Sequence, residues 1–516
     1  MGAEAVTHHP AVLLVPFPAQ GHVTPMLQLA RALAAHGAAP TVAVPDFIHR
    51  RISGSGCCAA GAGGVALASI PSGIAEDAAA AGSGSDATPG FAAIEHAMEH
   101  HMPAHLERML TSSRRGGPVA CVVVDVLASW AVPVAARCGV PVAGFWPAML
   151  ASYRVVAAIP ELIERGLVSE SGTPISSSDS SDSDQTIRSL KILPAQVELR
   201  AGELPWLVGD PATQRSRFAF WLQTLRRARA FRWVLVNSFP GEASAAVADD
   251  VLPRLARHGP QVLPVGPALL PGAAAVERTK QQQQPPCGND DDDKRQNAPP
   301  SMWRADSTCI GWLDLQRAGS VVYVSFGSWV GSIGPEKVRE LALGLEATGR
   351  PFLWALKRDP SWRAGLPEGF ASRVAASGRG KVVEWAPQED VLRHGAVGCY
   401  LTHCGWNSTV EAIRHGVRLL CYPVSGDQFI NCAYITGPWG IGLRLAASVR
   451  RDDVVCGVGR VMDGGEGRRL REKVRALRER VVAAEARRAA ERNVGAFVDD
   501  VRREQYPALM QIYSVL

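Results

Sequence analysis

The sequence has no apolar run long enough to span a membrane, although hydrophobic residues make up 47% of its 516 residues. Its first ten residues, MGAEAVTHHP, lack the basic residues with which a signal peptide begins. The apolar run AVLLVPFPA that follows is too short to supply one. These absences argue against a membrane-anchored or secreted protein, and we expect a cytoplasmic one.

The cysteines lack any regular spacing. There are 11 of them, an odd number, and only Cys57 and Cys58 stand side by side. This pattern indicates free thiols in a reducing compartment, and it argues against a disulfide framework or a zinc site.

An excess of one sign of charge is also lacking. The 54 Lys and Arg residues nearly balance the 49 Asp and Glu residues, so the net charge is only +5. The basic stretch GRRLREKVRALRERVVAAEARRAAER has helical spacing and interleaved Glu. It therefore predicts a solvated helix face, not a nucleic-acid site. What remains is an ordinary globular composition and a length sufficient for two α/β domains.

The first 50 residues carry the pattern of a strand, a helix and a second strand. AVLLVPFPA reads as a buried strand, QGHVTP as a turn, and MLQLARALAAHG as an amphipathic helix that Gly37 ends, before TVAVPDF starts the next strand. His22 lies in the turn, where open parallel sheets bind ligands. On these residues alone, His22 is equally a helix-end histidine or a catalyst.

A second unit of this kind follows at VACVVVDVLASWAVPVAARCGVPVAGFW. Asp125 ends its first apolar run. By default, a carboxylate in that position caps the helix that follows.

A glycine pattern, G-x-G-x-x-A, occurs at Gly54, Gly56 and Ala59. A dinucleotide fingerprint must follow the first strand of a βαβ unit and open a helix. This match follows FIHRRI and lies in a Gly/Ala-rich tract with no helical pattern behind it, so we predict a loop.

Two segments have compositions that cannot build a core. The Ser-rich stretch at 170–187 predicts a mobile loop, and QQQQPPCGNDDDDKRQNAPP predicts an interdomain linker. The strand SVVYVSFGSWV then opens a second domain. We predict a first domain at 1–266, a linker at 267–304, a second domain at 305–490 and a C-terminal helix at 491–516.

Polar, aromatic and small residues concentrate between Trp385 and Gln428. VVEWAPQ and GCYLTHCG read as strands that each run into a turn, RLLCYPV as a third strand, and VEAIRHG as a helix with an N-cap at Asn407, Ser408 or Thr409. The polar residues thus lie at strand C-termini and helix N-termini, where open parallel sheets bind ligands.

The residue types in this stretch match a ligand with a ring, phosphates and hydroxyls. His403, Gly405, Asn407 and Ser408 offer donors at a helix N-terminus, which favours an anion. Trp385 and Trp406 can stack on a flat ring or sugar face, while Glu411, Asp427 and Gln428 can accept bonds from hydroxyls. Each residue alone has a structural explanation, but their ordered combination favours a nucleotide sugar.

From WAPQ through HCGWNS to the closing DQ, the stretch closely resembles the signature box of the plant UDP-dependent glycosyltransferases of family 1. The resemblance implies that Trp385 stacks on uracil and that the Ala386 backbone contacts the uracil edge. It implies ribose contacts from Gln388 and Glu411, diphosphate contacts from His403, Asn407, Ser408, Gly327 and Ser328, and sugar contacts from Trp406, Asp427 and Gln428.

The resemblance also covers the N-terminal half. PFPAQGHVTPML is similar to the segment that holds the family's catalytic histidine, which implies that His22 is the base and Asp125 its partner. The implied fold is α/β: two doubly wound, Rossmann-like domains facing across a cleft, the GT-B arrangement. The acceptor would bind the first domain and the UDP-sugar the second, with the C-terminal helix crossing back.

The implied reaction transfers a hexose, with inversion, from a UDP-sugar to a hydroxyl of a small lipophilic plant metabolite. Gln428 resembles the glucose-using members, whereas galactose users carry His there. We expect no metal and no cofactor beyond the UDP-sugar co-substrate, since no D-x-D motif lies on a strand-end turn. We also expect no nucleic-acid, membrane or obligate protein partner. The acceptor loops, including the Ser-rich one, carry no transferable code.

Two positions depart from the family pattern. Pro147 replaces a Ser or Thr in a segment like FWT, so a sugar contact is missing or supplied elsewhere. Arg418 stands where many members have Pro, and we expect this change to affect only the local turn.

Three rival functions stay open. The first is a nucleotide-sugar binding protein that has lost catalysis, against which His22 and Asp125 argue. The second is a nicotinamide-dependent dehydrogenase, which only the misplaced glycine pattern favours. The third is a noncatalytic interaction protein that uses its Ser-rich and acidic loops.

Overall fold

The computed structural model describes residues 9–54, 64–74, 89–112, 118–175, 193, 197, 199–239, 242, 260–270 and 305–513, with side chains described up to residue 504. Most of the predicted linker, most of the Ser-rich stretch, and the Gly56 and Ala59 positions lie outside these residues. The predicted domain boundaries stay a prediction.

The N-terminal half is built on a seven-stranded parallel sheet. Its strands are β1 (Ala11–Val15), β2 (Ala39–Pro45), β3 (Ala66–Ile70), β4 (Val119–Asp125), β5 (Val142–Trp146), β6 (Trp233–Val236) and β7 (Gln261–Pro264). They follow the order β3-β2-β1-β4-β5-β6-β7. Buried on both faces, the central strands are continuous apolar runs, as parallel strands require.

Helices cover both faces of this sheet. They are α1 (Gln20–Ala35), α2 (Asp46–Gly54), α3 (Phe91–His96), α4 (Met102–Thr111), α5 (Ala131–Arg137), α6 (Leu150–Ala157), α7 (Ile159–Glu164), α8 (Pro211–Ala228) and α9 (Gly266–Leu269). A π-helical turn at Ala97–His101 joins α3 to α4, and 3-10 turns lie at Val126–Ala128 and Ala201–Glu203.

The C-terminal half is built on a six-stranded parallel sheet. Its strands are β8 (Val321–Ser325), β9 (Phe352–Ala355), β10 (Gly380–Val383), β11 (Val397–Thr402), β12 (Arg418–Cys421) and β13 (Gly442–Arg444). They follow the order β10-β9-β8-β11-β12-β13. In both sheets the order reverses beside the first strand, which is the switch point where such folds bind ligands.

Helices of this half alternate with its strands and then continue to the C-terminus. They are α10 (Thr308–Asp314), α11 (Pro335–Ala347), α12 (Pro360–Arg363), α13 (Phe370–Ala376), α14 (Gln388–Arg393), α15 (Trp406–His415), α16 (Gln428–Thr436), α17 (Arg451–Met462), α18 (Gly464–Val482) and α19 (Ala484–Tyr513). No helix in the described part of the chain has the length and apolar character that crossing a membrane would need.

Helix α1 begins at Gln20, six residues before the predicted start, so the sequence-based turn at QGHVTP is wrong. Pro25 therefore lies inside the helix. Proline has no N–H, so the carbonyl of Gly21, four residues earlier, receives no bond from it in the helix ladder.

Helix α15 also begins earlier than predicted. Its N-cap is Gly405, not one of the residues Asn407 to Thr409. The Thr409 hydroxyl instead donates to the Gly405 carbonyl, and the Ser408 hydroxyl accepts from Gln388. As predicted, the helix ends at Gly416, whose φ of +70° suits glycine.

The last helix, α19, packs against the N-terminal sheet. Val494, Phe497, Val498 and Val501 are buried in a core cluster with residues of β1, β2 and α1. Asn493 donates to the Pro264 carbonyl at the end of β7. The helix therefore joins the C-terminal part of the chain to the first sheet.

Candidate active site

Loops at the carboxyl ends of the two sheets meet across a cleft. On the N-terminal side, β1 leads into α1 with His22, and β4 ends at Asp125. On the C-terminal side, the chain leaves β8 at Gly327, β11 at His403 and β12 toward Asp427. This places the polar residues predicted from the sequence around one space.

His22 and Asp125 form a hydrogen-bonded pair. The Nδ1 atom of His22 lies 2.8 Å from Oδ2 of Asp125, although 103 residues separate them in the chain. Asp125 is fully buried, whereas the His22 side chain is 23% exposed. The other oxygen of Asp125 accepts from the Leu127 N–H at 2.9 Å and caps the following 3-10 turn. Asp125 therefore both caps the following turn and pairs with His22, and its catalytic role stays a prediction.

Aromatic rings border the His22 imidazole. The Phe17 ring centroid lies 5.2 Å from that of His22, 6.1 Å from that of Trp329 and 6.3 Å from that of Phe91. Trp329 belongs to the C-terminal half and is 39% exposed. These rings give the mouth of the cleft an apolar wall beside the His22 imidazole.

His403 is buried against two glycine turns. A Cβ at Gly327, where φ is +70°, would lie 2.7 Å from the His403 Nε2, so only glycine fits this close approach. Burial, helped by the charge of Lys357, lowers the pKa of His403 to about 4, so the ring is neutral at pH 7. Its Nδ1 is buried and has no hydrogen-bond partner among the described residues. Such an atom is costly unless a ligand satisfies it.

Lys357 supplies a cation beside this imidazole. It follows β9, and its Nζ donates to the Val330 carbonyl at 2.7 Å, just after the turn that holds Gly327 and Ser328. Burial lowers its pKa to about 8, against the opposing effect of Asp359. Sequence reasoning missed this residue, although a lysine directly after a buried strand was a usable signal.

Gln388 is the centre of a polar network. Its amide nitrogen donates to Ser408 at 3.0 Å and to Glu411 at 2.7 Å, and its oxygen accepts from Tyr323 and Tyr400. Burial raises the pKa of Glu411 to about 7, and the nearby Glu389 adds to this effect while the bond from Gln388 opposes it. The structure thus joins three of the predicted UDP-binding side chains.

The Trp406 ring does not point into this group. It is buried, it stacks on Phe239 with an 11° interplanar angle, and its Nε1 donates to the Asn237 carbonyl at 2.6 Å. Both contacts are with the N-terminal half, which gives the ring a role in joining the two halves. The Asn237 side chain also donates to the Pro147 carbonyl. Pro147, which replaces the family's Ser or Thr, is therefore linked through Asn237 to the Trp406 ring.

Asn407 bridges the cleft. Its Nδ2 donates to the Gly21 carbonyl at 3.0 Å. This is the carbonyl that Pro25 leaves without a partner in the helix ladder. One side chain predicted for the diphosphate therefore holds the helix that carries His22.

Asp427 faces His22 from the other side of the cleft. Burial raises the pKa of Asp427, while a bond from Asn431 and the electrostatic effect of the nearby His22 act in the opposite direction. The neighbouring Gln428 is buried, and its oxygen accepts from the N–H groups of Val424 and Ser425 at 2.9 and 3.0 Å. The loop thereby fixes the orientation of the Gln428 amide.

Trp385 and Ala386 lie between β10 and α14, with Trp385 half-buried and Ala386 buried. The Trp385 carbonyl accepts from the Asp306 N–H at 2.9 Å, which anchors the loop. Ser328 is half-buried in the turn after β8. These three residues lie at the same carboxyl edge as His403 and Gln388.

Two Rossmann-like sheets that face each other through their strand ends, with a His–Asp pair on one side, define a GT-B glycosyltransferase fold. Residues 309–469 match the family model for UDP-glucoronosyl and UDP-glucosyl transferase. UDP-glycosyltransferase 82A1 of Arabidopsis thaliana is 44% identical over 498 residues, 95% of this chain and 98% of that protein. The chain belongs to the plant family 1 UDP-glycosyltransferases.

Other relatives agree with this assignment. The (R)-mandelonitrile beta-glucosyltransferase of Prunus dulcis is 30% identical over 94% of this chain and 95% of its own length. The crystal structure of Os79 from O. sativa in complex with UDP has a TM-score of 0.73 and 27% identity, and covers 95% of this chain and 100% of that one. The structure of a UDP-glucosyltransferase from Polygonum tinctorium capable of glucosylating indoxyl has a TM-score of 0.72 and 26% identity. That match covers 96% of this chain and 99% of the Polygonum tinctorium chain.

Proposed function

We propose that this UDP-glycosyltransferase moves glucose from UDP-glucose to a hydroxyl of a small lipophilic plant metabolite, with inversion at the anomeric carbon. The observation that carries the proposal is the His22–Asp125 pair at the mouth of the cleft. The cytoplasmic location and the absence of a metal stay predictions.

In this mechanism His22 is the general base. Asp125 occupies Nδ1, so Nε2 is the nitrogen that takes the acceptor proton as the oxygen attacks. The buried carboxylate orients the ring and stabilises the imidazolium that forms. A single displacement by the acceptor oxygen breaks the bond from the sugar to UDP and inverts the anomeric carbon.

The C-terminal half holds the donor. Trp385 would stack on uracil beside the Ala386 backbone, and Gln388 and Glu411 would hold ribose. His403, Asn407, Ser408, Gly327 and Ser328 would bind the diphosphate, and Asp427 and Gln428 the sugar. The buried, unpartnered Nδ1 of His403 supports the diphosphate assignment, because a phosphate oxygen can accept from it once it carries the ring proton. Since the Trp406 ring packs against Phe239, we assign its sugar contact to the backbone.

Lys357 would stabilise the departing UDP. As the bond to the sugar breaks, negative charge grows on the diphosphate, and a fixed cation nearby lowers the barrier. Its proximity to His403 and to the turn after β8 supports this role.

The acceptor would bind against Phe17, Phe91 and Trp329. Their rings offer an apolar surface whose edge is the His22 imidazole. A lipophilic acceptor can lie on these rings with its hydroxyl toward His22. The relatives from Prunus dulcis and Polygonum tinctorium, named for mandelonitrile and indoxyl, act on small molecules of this kind.

Removing the base tests the proposal. His22→Ala should lower kcat by about two to four orders of magnitude, while UDP affinity changes little because the UDP contacts lie in the other half. Asp125→Ala should cost less, since it supports the base without replacing it. UDP release is to be measured over an acceptor panel with UDP-glucose, UDP-galactose and UDP-glucuronate.

The loss in His22→Ala should be smaller for an acidic phenol than for an aliphatic alcohol, because the phenol releases its proton more easily. Near-normal turnover of a folded His22→Ala variant on an aliphatic alcohol would contradict the mechanism. Equal or faster turnover with UDP-galactose or UDP-glucuronate would contradict the choice of glucose.

A further inference from the structure

Three cysteines from separate elements converge behind the donor loops. Cys404 lies in the turn between β11 and α15, Cys421 ends β12, and Cys432 lies in the second turn of α16. Their sulfur atoms all lie within 4.8 Å of one another, and each residue is fully buried. None of the three takes part in the mechanism proposed above.

The backbone at Cys404 is held in an unusual conformation. Its φ of +66° falls in the left-handed region, which is uncommon for a residue with a side chain. The Cys404 N–H donates to the Thr402 hydroxyl, and its carbonyl accepts from Asn431 at 2.9 Å. These bonds fix the backbone at Cys404, and the Cys404 thiol itself donates to the Thr402 carbonyl at 3.7 Å.

Buried cysteines often serve only as small apolar residues, so burial alone is no argument for a site. The short distances between the three sulfur atoms indicate that they could bind one ion together. A centre with three sulfur bonds of about 2.3 Å holds its sulfur atoms about 3.4 Å apart when it is pyramidal and about 3.8 Å apart when it is tetrahedral. The three sulfur atoms, which lie within 4.8 Å of one another, therefore need to approach by no more than about 1.5 Å to share one such centre.

Charge and ligand number decide which ion fits. Zinc prefers four ligands, and three thiolates around it carry a net negative charge, which is costly to bury. Only three His, Cys, Asp or Glu ligand atoms converge here among the described residues. Trivalent arsenic takes three sulfur ligands and forms a neutral complex with three thiolates.

We propose that Cys404, Cys421 and Cys432 form a buried three-thiol site for trivalent arsenic, supplied as neutral arsenous acid. Three As–O bonds break and three As–S bonds form. Each thiol proton leaves with a hydroxyl group as water, so three waters are released and no electrons are transferred. Neither the reactant nor the product brings a charge into the core.

Occupancy of this site inhibits the transferase through its position. Cys404 lies between His403 and Gly405, and Cys432 belongs to the helix that begins at Gln428. Drawing the sulfur atoms together displaces these donor-binding residues. A shift of about 1 Å in a catalytic site lowers turnover by up to about 100-fold, and we expect a loss of that order.

Native mass spectrometry of the full chain tests the proposal. The protein is reduced with a phosphine, which leaves no competing thiol, and titrated with arsenite. We expect one arsenic per chain, with a mass that corresponds to loss of three waters from arsenous acid. Cys421→Ala and Cys432→Ala should each abolish this three-water adduct. UDP binding and thermal melting without arsenite check that both variants fold.

Matched controls separate the triad from other thiols. Cys309→Ala and Cys399→Ala remove equally buried cysteines outside the triad, and both should retain the adduct. A Cys57→Ser/Cys58→Ser variant removes the adjacent pair, which lies outside the described residues, and should also retain it. Turnover of the wild type should fall with arsenite and recover with a small dithiol.

Several results would overturn the assignment. These are no adduct at all, a wild-type adduct that has lost only two waters, or an adduct that disappears with Cys57 and Cys58 and persists without Cys432. The water count needs no variant, so the test holds even if a triad variant fails to fold. Zinc binding to the triad in preference to arsenite would refute the charge argument. All mass readouts are independent of glycosyl transfer.

Discussion

Glu411 shows how one side chain can make donor binding depend on pH. It is half-buried, and its raised pKa of about 7 means that about half of the carboxyls are protonated at neutral pH. Ribose hydroxyls donate best to the ionised carboxylate. With Glu411 as the proposed ribose contact, UDP binding at low pH would displace a proton from this carboxyl.

We predict that UDP affinity rises about tenfold between about pH 6 and about pH 8, and that binding at pH 7 releases protons. The affinity rises with pH because UDP binding favours the deprotonated form of Glu411. Calorimetry in buffers of different ionisation enthalpy measures both effects. Glu411→Gln has no proton to lose and serves as the control for titration of the UDP phosphates. An identical pH dependence in the wild type and this variant would exclude Glu411 as the cause.

Lys357 can be separated from its neighbour by substitution. Lys357→Met keeps an apolar stem but removes the cation, so we predict a fall in kcat of about 10-fold to 100-fold, the usual cost of a hydrogen bond to a charged group. Arg358→Met is the matched control, since Arg358 is exposed and pairs with Glu384. Steady-state kinetics at pH 7 measure the effect. If both variants keep wild-type kcat, Lys357 has no part in stabilising the leaving group.

At the scale of elements, Arg418 does more than the sequence indicated. The expectation that it affects only the local turn is wrong. It is buried and donates to the carbonyls of Gly398, Val461, Met462 and Gly467, so it joins β12 to β11 and to the corner between α17 and α18. Sequence alone could not reveal this, because those carbonyls come from distant parts of the chain.

We predict that Arg418→Met lowers the free energy of unfolding by about 3 kcal/mol, because it leaves buried carbonyls without donors. Arg468→Met, a change at an exposed position in α18, should be nearly neutral. Denaturant unfolding followed by circular dichroism measures both. A difference below about 0.5 kcal/mol between the two variants would show that water replaces the guanidinium.

The regular elements were the most predictable part of the fold. The apolar runs that became β1, β4, β8 and β11 are buried on both faces, so their sequences leave little choice of structure. Helix starts were less predictable. Pro25 suggested a turn, but it lies in the second turn of α1, where the Gly21 carbonyl that it leaves without a ladder bond accepts from Asn407 of the other half. The start of α15 likewise depends on contacts made by Ser408 and Thr409.

The candidate site divides in the same way. The WAPQ-to-DQ box has a fixed spacing, so its residues could be placed at the strand ends from the sequence. The direction of the Trp406 ring could not be predicted from the sequence, because it depends on contacts with Phe239 and Asn237 in the other half. Lys357 and the rings beside His22 were missed for a similar reason, since they belong to separate loops that only the fold brings together.

For the whole molecule, α19 is the element that returns to the first sheet. Phe497 packs on Trp233 with ring centroids 5.5 Å apart, and Trp233 donates to Asp500. Their burial depends on a segment that follows the entire C-terminal sheet in the chain.

We predict that truncation after residue 490 exposes the N-terminal core and lowers the melting temperature by more than about 5 °C, or prevents folding. Deletion of residues 277–298 is the contrasting case. That stretch lies outside the described residues, its composition cannot build a core, and loop closure depends weakly on length. Thermal melting and UDP binding compare the two. A large loss of stability in the deletion, with a stable truncation, would reverse our assignment of which segment is structural.

The bond between Asn407 and Gly21 has a further consequence. A carboxamide has two N–H groups, so Asn407 can hold the Gly21 carbonyl with one and a phosphate with the other. The donor and the helix that carries His22 would then both bind the Asn407 side chain, so binding of the donor would also restrain the helix. Binding of UDP-sugar and readiness of the base thus become thermodynamically linked, and by reciprocity anything that fixes α1 tightens the donor. This coupling arises because Pro25 has no N–H, which leaves the Gly21 carbonyl free to accept from Asn407.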